Sequence, residues 1–325
     1  MAPGDRVWLT IDYRPPHQFG RRYDLAKHLR TEFRAAGLDA CFFSLREPLE
    51  ELLADAGSVV FPVEEAYPPD DRETFPEVLR KVFEERGIPF IGSGYPALLT
   101  TGDRREAKRR IAAAGLAVPA GSWLDGAADG PAALRRLLGE QAFPAVAKPV
   151  SGPGASLGVV FLPDAEALAR YAESWREAGA PPVLLEEYVD GQEMTVWVWG
   201  VEPDVRAAGV FVLDKGGEPI FDHDMKIGFK RIPGFAPPEE GCDPEGVRRA
   251  ADAAVAAHRA VGAYSYSRVD LILRRGEPVV LEVNPHPKVI THPRSGLAAG
   301  LGRPLGEVLD ALIRHARDRP AAGSA

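Results

Sequence analysis

Between Val7 and Gly92 the chain alternates short apolar runs with amphipathic segments, and this alternation restricts the fold more than any other feature. The runs VWLTI (7–11), ACFFSL (40–45), SVVFPV (58–63) and IPFIG (88–92) read as strands. Between them, RRYDLAKHLRTEFRAAG and DDRETFPEVLRKVFEERG read as helices, each stopped by a glycine that can adopt the left-handed C-terminal conformation. This is the pattern of a small parallel-sheet α/β unit, expected over residues 1–93.

The chain has 325 residues, more than one core comfortably fills, so further units are expected. The second, over 94–185, opens near GSGYPALLTTGDRREAKRRIAAAGL, where Asp103 can cap a helix running to about Ala114 that Gly115 ends. The strand FPAVAKPV, a glycine-rich loop, the strand GVVFL, a helix over 164–178 and the strand PVLLEEYV complete an antiparallel α+β piece. The third unit, 186–325, starts with EMTVWVWG and VRAAGVFVL, a hairpin around Pro203 and Asp204. There follows a long aperiodic stretch, DKGGEPIFDHDMKIGFKRIPGFAPPEEG, of the length that compact domains reserve for functional lids. A helix over 243–260 and a second hairpin, YSYSRVDLILRRGEPVVLEVN turning at RRGE, come next, and the tail after Arg319 is expected to fray.

The net charge of -8 and the lack of a basic cluster flanked by aromatic residues give no support to nucleic-acid binding. Cys41 and Cys242 lie far apart and fit no metal-ligand spacing, so reduced structural thiols and a cytoplasmic location are expected. No window approaches eighteen consecutive apolar residues, and MAPGDRVWLTIDYR holds no apolar run of signal-peptide length, so neither export nor a membrane span is expected.

Three segments carry chemistry. VAKPVSGPGASLGVV, from Val146 to Val160, places Lys148 at the end of an apolar strand and then a glycine-rich turn. Such a turn lets backbone N–H groups approach a phosphate while the lysine adds a point charge. It is neither a Walker A loop nor the dinucleotide fingerprint, and an ordinary hairpin turn is the competing reading. In RVDLILRRGEPVVLEVN, Asp270 stands near the start of one hairpin strand and Glu282 with Asn284 near the end of the other, the last two on one face. Two carboxylates and an amide oxygen there form a hard-oxygen site suited to Mg²⁺ beside phosphate oxygens. A solvated strand face is the alternative, yet VVLEVN is otherwise apolar, and an unpaired buried glutamate would be costly. In LLEEYVDGQEMT, Glu186 and Glu193 flank an irregular linker that could offer backbone groups to an adenine edge and a carboxylate to a ribose. Solvent-facing acids are the competing reading.

Seven segments, IPFIGSG, GDRREAK, VAKPVSGPGASLGV, LLEEYVDGQEMTV, DHDMK, SRVDLIL and LEVNPHP, occur in an order and spacing that resembles the ATP-grasp superfamily, and within it the D-alanine:D-alanine ligase branch, over about residues 88–300. The resemblance implies an α/β (α+β) fold of three domains, with a parallel-sheet N-terminal domain and two lobes enclosing ATP. It implies nucleotide contacts from Arg104, where the family usually has lysine, from Lys148, from Gly154 and Ser156 of the flap, from Glu186, Val189 and Glu193 of the linker, and from Lys226 of the lid. It also implies two Mg²⁺ ions, with Mn²⁺ as an alternative, on Asp270, Glu282 and Asn284, and Arg268 at the acyl-phosphate or tetrahedral oxygen. Arg268, Lys226 and Ser156 are thereby the expected catalytic set, and a homodimer is the family's usual assembly.

Departures from the family concern the substrate. The flap's first serine is Ala155, the first-domain turn that usually carries a glutamate reads IDYRPPHQFG, the segment after the later strand reads PVEEAYPPDD, and Lys288 stands near a usual glycine. Asp12, Tyr13, Arg14, His17 and Lys288 are therefore the expected substrate residues. The expected activity joins a small carboxylate to an amine through an acyl phosphate, with a product other than D-alanyl-D-alanine. The alternatives are an ATP-grasp ligase acting on a carbamoyl or imino group, and a non-catalytic nucleotide-binding protein.

Overall fold

The computed structural model of the chain describes residues 6–11, 20–44, 51, 57–63, 75–126, 142–151, 156–221, 234–238, 242–289 and 296–320. The first sheet is three-stranded and parallel, with β1 (Arg6–Ile11) between β2 (Asp39–Ser44) and β3 (Val59–Pro62). Helix α1 (Gly20–Ala35) repeats apolar residues at helical spacing, and Ala26, Leu29 and Phe33 bury against Val7, Leu9 and Ile11. On the other side, Leu79 and Phe83 of α2 (Phe75–Arg86) pack with Phe43, Val60 and Phe90.

The run IPFIG, expected as a strand, contributes a single parallel bridge from Phe90 to Val60. The Pro89 carbonyl accepts from Val60 N–H of β3 at 2.8 Å, but the carbonyls that follow are taken by side chains: Arg80 donates to those of Ile91 and Ser93, and Arg319 to those of Phe90 and Gly92. Gly92 then turns the chain out of the extended conformation at φ +92°.

Helices α3 (Tyr95–Gly102) and α4 (Arg104–Ala113) lead to a four-stranded antiparallel sheet ordered β4-β7-β5-β6, with β4 (Gly121–Leu124), β5 (Ala145–Pro149), β6 (Val160–Leu162) and β7 (Val183–Glu187). Its core is closed by Leu168 and Trp175 of α5 (Ala165–Glu177), whose first turn Asp164 caps. The expected boundary between residues 185 and 186 falls inside β7.

The third sheet is antiparallel, ordered β10-β9-β8-β11-β12, with β8 (Gln192–Gly200), β9 (Arg206–Asp214), β10 (Gly234–Ala236), β11 (Ser265–Arg274) and β12 (Glu277–Asn284). Both faces of β8 are buried, by alternation. Met194, Val196 and Val198 meet the alanine stripe Ala250, Ala254 and Ala257 of α6 (Pro244–Ala260), while Trp197 and Trp199 join the core of the first sheet. Ile111 of α4 enters the α6 core, and Ala117 bridges to Val279, so α4, expected with the central unit, packs on the third sheet.

Strand β10 lies within the stretch expected to be irregular. Two helices without a counterpart among the expected elements, the short α7 (Leu297–Leu301) and the 13-residue α8 (Leu305–Arg317), follow, and α8 buries Val308, Leu309, Leu312 and Ile313 in the core of the first sheet. Among the described residues no helix is long and apolar enough to cross a membrane.

Candidate nucleotide and active site

A cleft of about 800 Å³ opens between the second and third sheets. Its walls are Val146 and Lys148 of β5, Ser156 and Val159 of the glycine-rich loop, Glu187 to Val189 at and after the end of β7, Glu193 of β8, Lys215 and Pro219 to Phe221 beyond β9, and Asp270, Ile272, Leu281 and Glu282 of β11 and β12.

The register of the central sheet sets Val146 opposite Glu186, so Lys148, two residues on, shares a face with it. Lys148 Nζ lies 2.8 Å from Glu186 Oε2, and Lys108 Nζ of α4 lies 2.6 Å from Glu186 Oε1. Glu186 is 1% exposed. Burial pushes its carboxyl up, but Lys148 and Lys108 outweigh this and hold it below its ordinary value. Burial also pushes Lys108 down to about 8, against the pull of Glu186. Glu186, expected at the adenine, thus has its carboxylate on two lysines.

Lys108 escaped the sequence reading although it ends the motif GDRREAK. A signal was present: with Asp103 capping α4 through the N–H groups of Arg105 and Glu106, Arg104 and Lys108 sit four apart on one helix face. Arg104 Nη1 donates to the carbonyl of Pro149 at 2.7 Å, and its own N–H to that of Val150, which places it at the base of the glycine-rich loop. Ser156 enters the described part of that loop with φ 56°, and its carbonyl accepts from Val159 N–H at 3.1 Å.

At the end of β7, Glu187 accepts from the N–H of Ala120 at 3.1 Å and from Arg274 Nη1 at 3.0 Å, and beyond it Val189 is buried against Ile272 and Val279. Glu193 forms an ion pair of 3.1 Å with Lys215, a residue the sequence reading did not single out.

On the opposite wall Asp270 and Glu282 are register partners, as are Arg268 and Asn284. Arg268 grips Asp270 with two hydrogen bonds, Nε to Oδ1 at 3.0 Å and Nη2 to Oδ2 at 2.8 Å, and its Nη2 stands 3.9 Å from Glu282 Oε1. Thr195 Oγ1 also donates to Asp270 Oδ1. Asn284 Oδ1 accepts from the N–H of His286 at 2.9 Å. His286 Nε2 donates to the carbonyl of Pro62 at 2.8 Å, which leaves Nδ1 to accept from Tyr266 at 3.2 Å. Burial pushes the imidazole well below its usual range, in keeping with this neutral tautomer. Two carboxylates beside one guanidinium, with the amide oxygen of Asn284 two residues from Glu282 on the same strand, are a donor set that suits a hard divalent cation.

Lys288 is exposed and lines a small hollow with Leu29, Phe61, Pro62 and Val63, at the C-terminal end of β3. The structure therefore brings Arg104, Lys148, Ser156, Val189, Glu193, Asp270 and Glu282 to one cleft, with Arg268 and Asn284 beside it and Lys288 at the neighbouring hollow. Asp12, Tyr13, Arg14, His17, Gly154 and Lys226 lie outside the described residues.

Two antiparallel sheets closing on a cleft, behind a parallel-sheet domain and with lysines facing carboxylates across it, define an ATP-grasp ligase, an enzyme that forms a C–N bond. The chain belongs to the family described as D-ala D-ala ligase C-terminus, which matches residues 112–302. It is similar to the D-alanine–D-alanine ligase of Desulforudis audaxviator (strain MP104C), at 29% identity over 305 residues, 91% of this chain and 87% of that protein. The corresponding ligase of Herminiimonas arsenicoxydans is 28% identical over 283 residues, 85% of this chain and 81% of that one. Among solved structures, the Bacillus anthracis D-alanine–D-alanine ligase complexed with ATP superposes with a TM-score of 0.71 at 20% identity, covering 96% of this chain and 97% of that one. The Enterococcus faecalis VanG D-Ala:D-Ser ligase gives 0.72 at 20% identity, covering 96% and 99%.

Proposed function

We propose that this carboxylate–amine ligase joins two amino acids, with D-alanine as the one that supplies the carboxylate. The observation that carries the nucleotide half of this reading is the placement of Lys148 and of the Asp270–Glu282 pair on facing walls of one cleft. The substrate half rests on relatives named D-alanine–D-alanine ligase and on the D-Ala:D-Ser ligase among the structural neighbours. The expectation that D-alanyl-D-alanine is not the product draws no support from those names.

In this reading the carboxylate oxygen attacks the γ-phosphorus of ATP and the bond to ADP breaks, giving an acyl phosphate. The neutral amine of the second amino acid then attacks the acyl carbon, phosphate leaves, and the new amide nitrogen loses its proton. Lys148 and Arg104 meet the phosphates as fixed positive charges. Glu193 meets the ribose, and the backbone near Val189 the adenine. Asp270, Glu282 and Asn284 would hold Mg²⁺, which supplies neutralisation of the phosphate oxygens. Arg268, once its hold on Asp270 is relaxed, serves the tetrahedral oxygen.

The test is ADP release with D-alanine alone and with D-alanine paired with D-serine, L-amino acids or hydroxy acids, the products weighed by mass spectrometry. A dipeptide beginning with D-alanine is expected. ATP turnover that no D-alanine pair stimulates would remove the substrate half and leave the ligase class standing.

A further inference from the structure

The ion pair between Lys215 and Glu193 joins two elements of the cleft wall. Strand β9 runs antiparallel to β8, so the end of β9 lies beside the beginning of β8, where Glu193 sits. The chain then turns tightly. Asp214 Oδ1 accepts from Gly216 N–H at 2.8 Å, Gly216 and Gly217 take φ +65° and +91°, and Lys215 Nζ donates to the carbonyl of Pro219 at 2.8 Å while standing 3.1 Å from Glu193 Oε2. One ammonium therefore fixes both the carboxylate and the turn whose next residues, Pro219 to Phe221, line the cleft. Lys215 and Glu193 are 14% and 12% exposed, so the pair is largely shielded from water, where an ion pair orients more strongly than at a surface.

We propose that Lys215 is a positioning residue that sets nucleotide specificity: it holds Glu193 so that the carboxylate receives the vicinal hydroxyls of a ribose. This rests on the nucleotide half of the reading above. A lysine only donates, and a carboxylate has room for about four donors, so the pairing leaves Glu193 able to accept from hydroxyl groups. Without Lys215 the carboxylate loses this tie, and the turn loses its tie to Pro219.

The experiment is calorimetric binding of ATP and of 2′,3′-dideoxy-ATP, each with magnesium, to the wild type, Lys215→Met, Lys215→Arg, Glu193→Gln and the Lys215→Met/Glu193→Gln pair. The wild type is expected to favour ATP. Lys215→Met should weaken ATP about tenfold and the dideoxy nucleotide less than about twofold, the size of one charge-assisted hydrogen bond. Glu193→Gln should lose the same preference, the double variant should lose no more than either single one, and Lys215→Arg should keep most of it. Equal weakening of both nucleotides in Lys215→Met would make the lysine a bare charge for phosphates and overturn the inference. So would an unchanged preference. If Lys215→Met does not fold, Glu193→Gln and Lys215→Arg decide in the same way. A wild type that binds neither nucleotide removes the nucleotide reading itself, and this inference with it.

Discussion

Glu186 carries two ammonium groups on its two oxygens, so the buried trio has a net positive charge beside the cleft in which a polyanion is proposed to sit. Breaking a buried pair leaves an uncompensated charge, which costs about 3–5 kcal/mol. Glu186→Gln, which leaves both ammonium groups without their carboxylate, is therefore expected to lower the unfolding free energy by about that amount, whereas Lys108→Met, which keeps the Lys148–Glu186 pair, should cost less, both read from urea titrations. A Lys108→Met variant as unstable as Glu186→Gln would mean that Lys148 alone does not satisfy Glu186. A different residue governs the acid side. His258 is 1% exposed and hydrogen-bonded through Nδ1 to Ser267 at 2.7 Å, and burial pushes its imidazole down to about 4. Between that value and the ordinary 6.5 the unfolded chain binds a proton that the native state refuses, so stability falls as pH drops through this window. The loss from this one group reaches about 3 kcal/mol, and His258→Leu should flatten the slope of unfolding free energy against pH between these limits.

At the scale of elements, the cap on α4 decides where two cations point. Asp103 accepts from the N–H groups of Arg105 and Glu106, and Arg105 folds back onto it, which holds its carboxyl below the usual range. Asp103→Ala should cost about 1 kcal/mol of stability in thermal unfolding and raise the KM for ATP more than it lowers kcat, because Arg104 opens that helix. This cap was legible in the sequence, since its signals lie within a few residues. The β11–β12 hairpin was legible as far as its turn, where RRGE has Arg275 and Gly276 at φ 52° and 83°; regular pairing from that turn would set Asp270 opposite Leu281, and a bulge between Asp270 and Leu271 sets it opposite Glu282 instead. Asp270→Ala is expected to abolish magnesium-stimulated ADP release, and a magnesium titration with an unchanged midpoint would place the ion elsewhere. IPFIG misled because its composition is that of a strand while its carbonyls from Phe90 onward belong to Arg80 and Arg319, and the contribution of Arg319 comes from the far end of the chain.

For the whole molecule, the third sheet and the last helix bind the units together. Trp197 and Trp199 of β8 and Leu309 and Leu312 of α8 share one core with Leu9 and Phe33 of the first domain. A cavity at Leu312 should therefore loosen the first sheet as well as α8. Leu312→Ala is expected to cost about 2–5 kcal/mol and to lower hydrogen-exchange protection in β1, with one cooperative transition retained. Gly209 of β9 and Gly300 of α7 approach so closely that a Cβ on the former would stand 2.6 Å from the Cα of the latter, a contact that neither local sequence announces. The sequence by itself determined the alternation of elements, the caps, the hairpin turns and the order of the family's segments, because periodicity and turn chemistry act over a few residues. Only the tertiary structure decided that Lys108 reaches Glu186, that Lys215 reaches Glu193, and that His286 reaches Pro62 across 224 residues. A lysine that ends in a buried ion pair and one that ends in water look alike along the chain, and the way the sheets close on each other separates them.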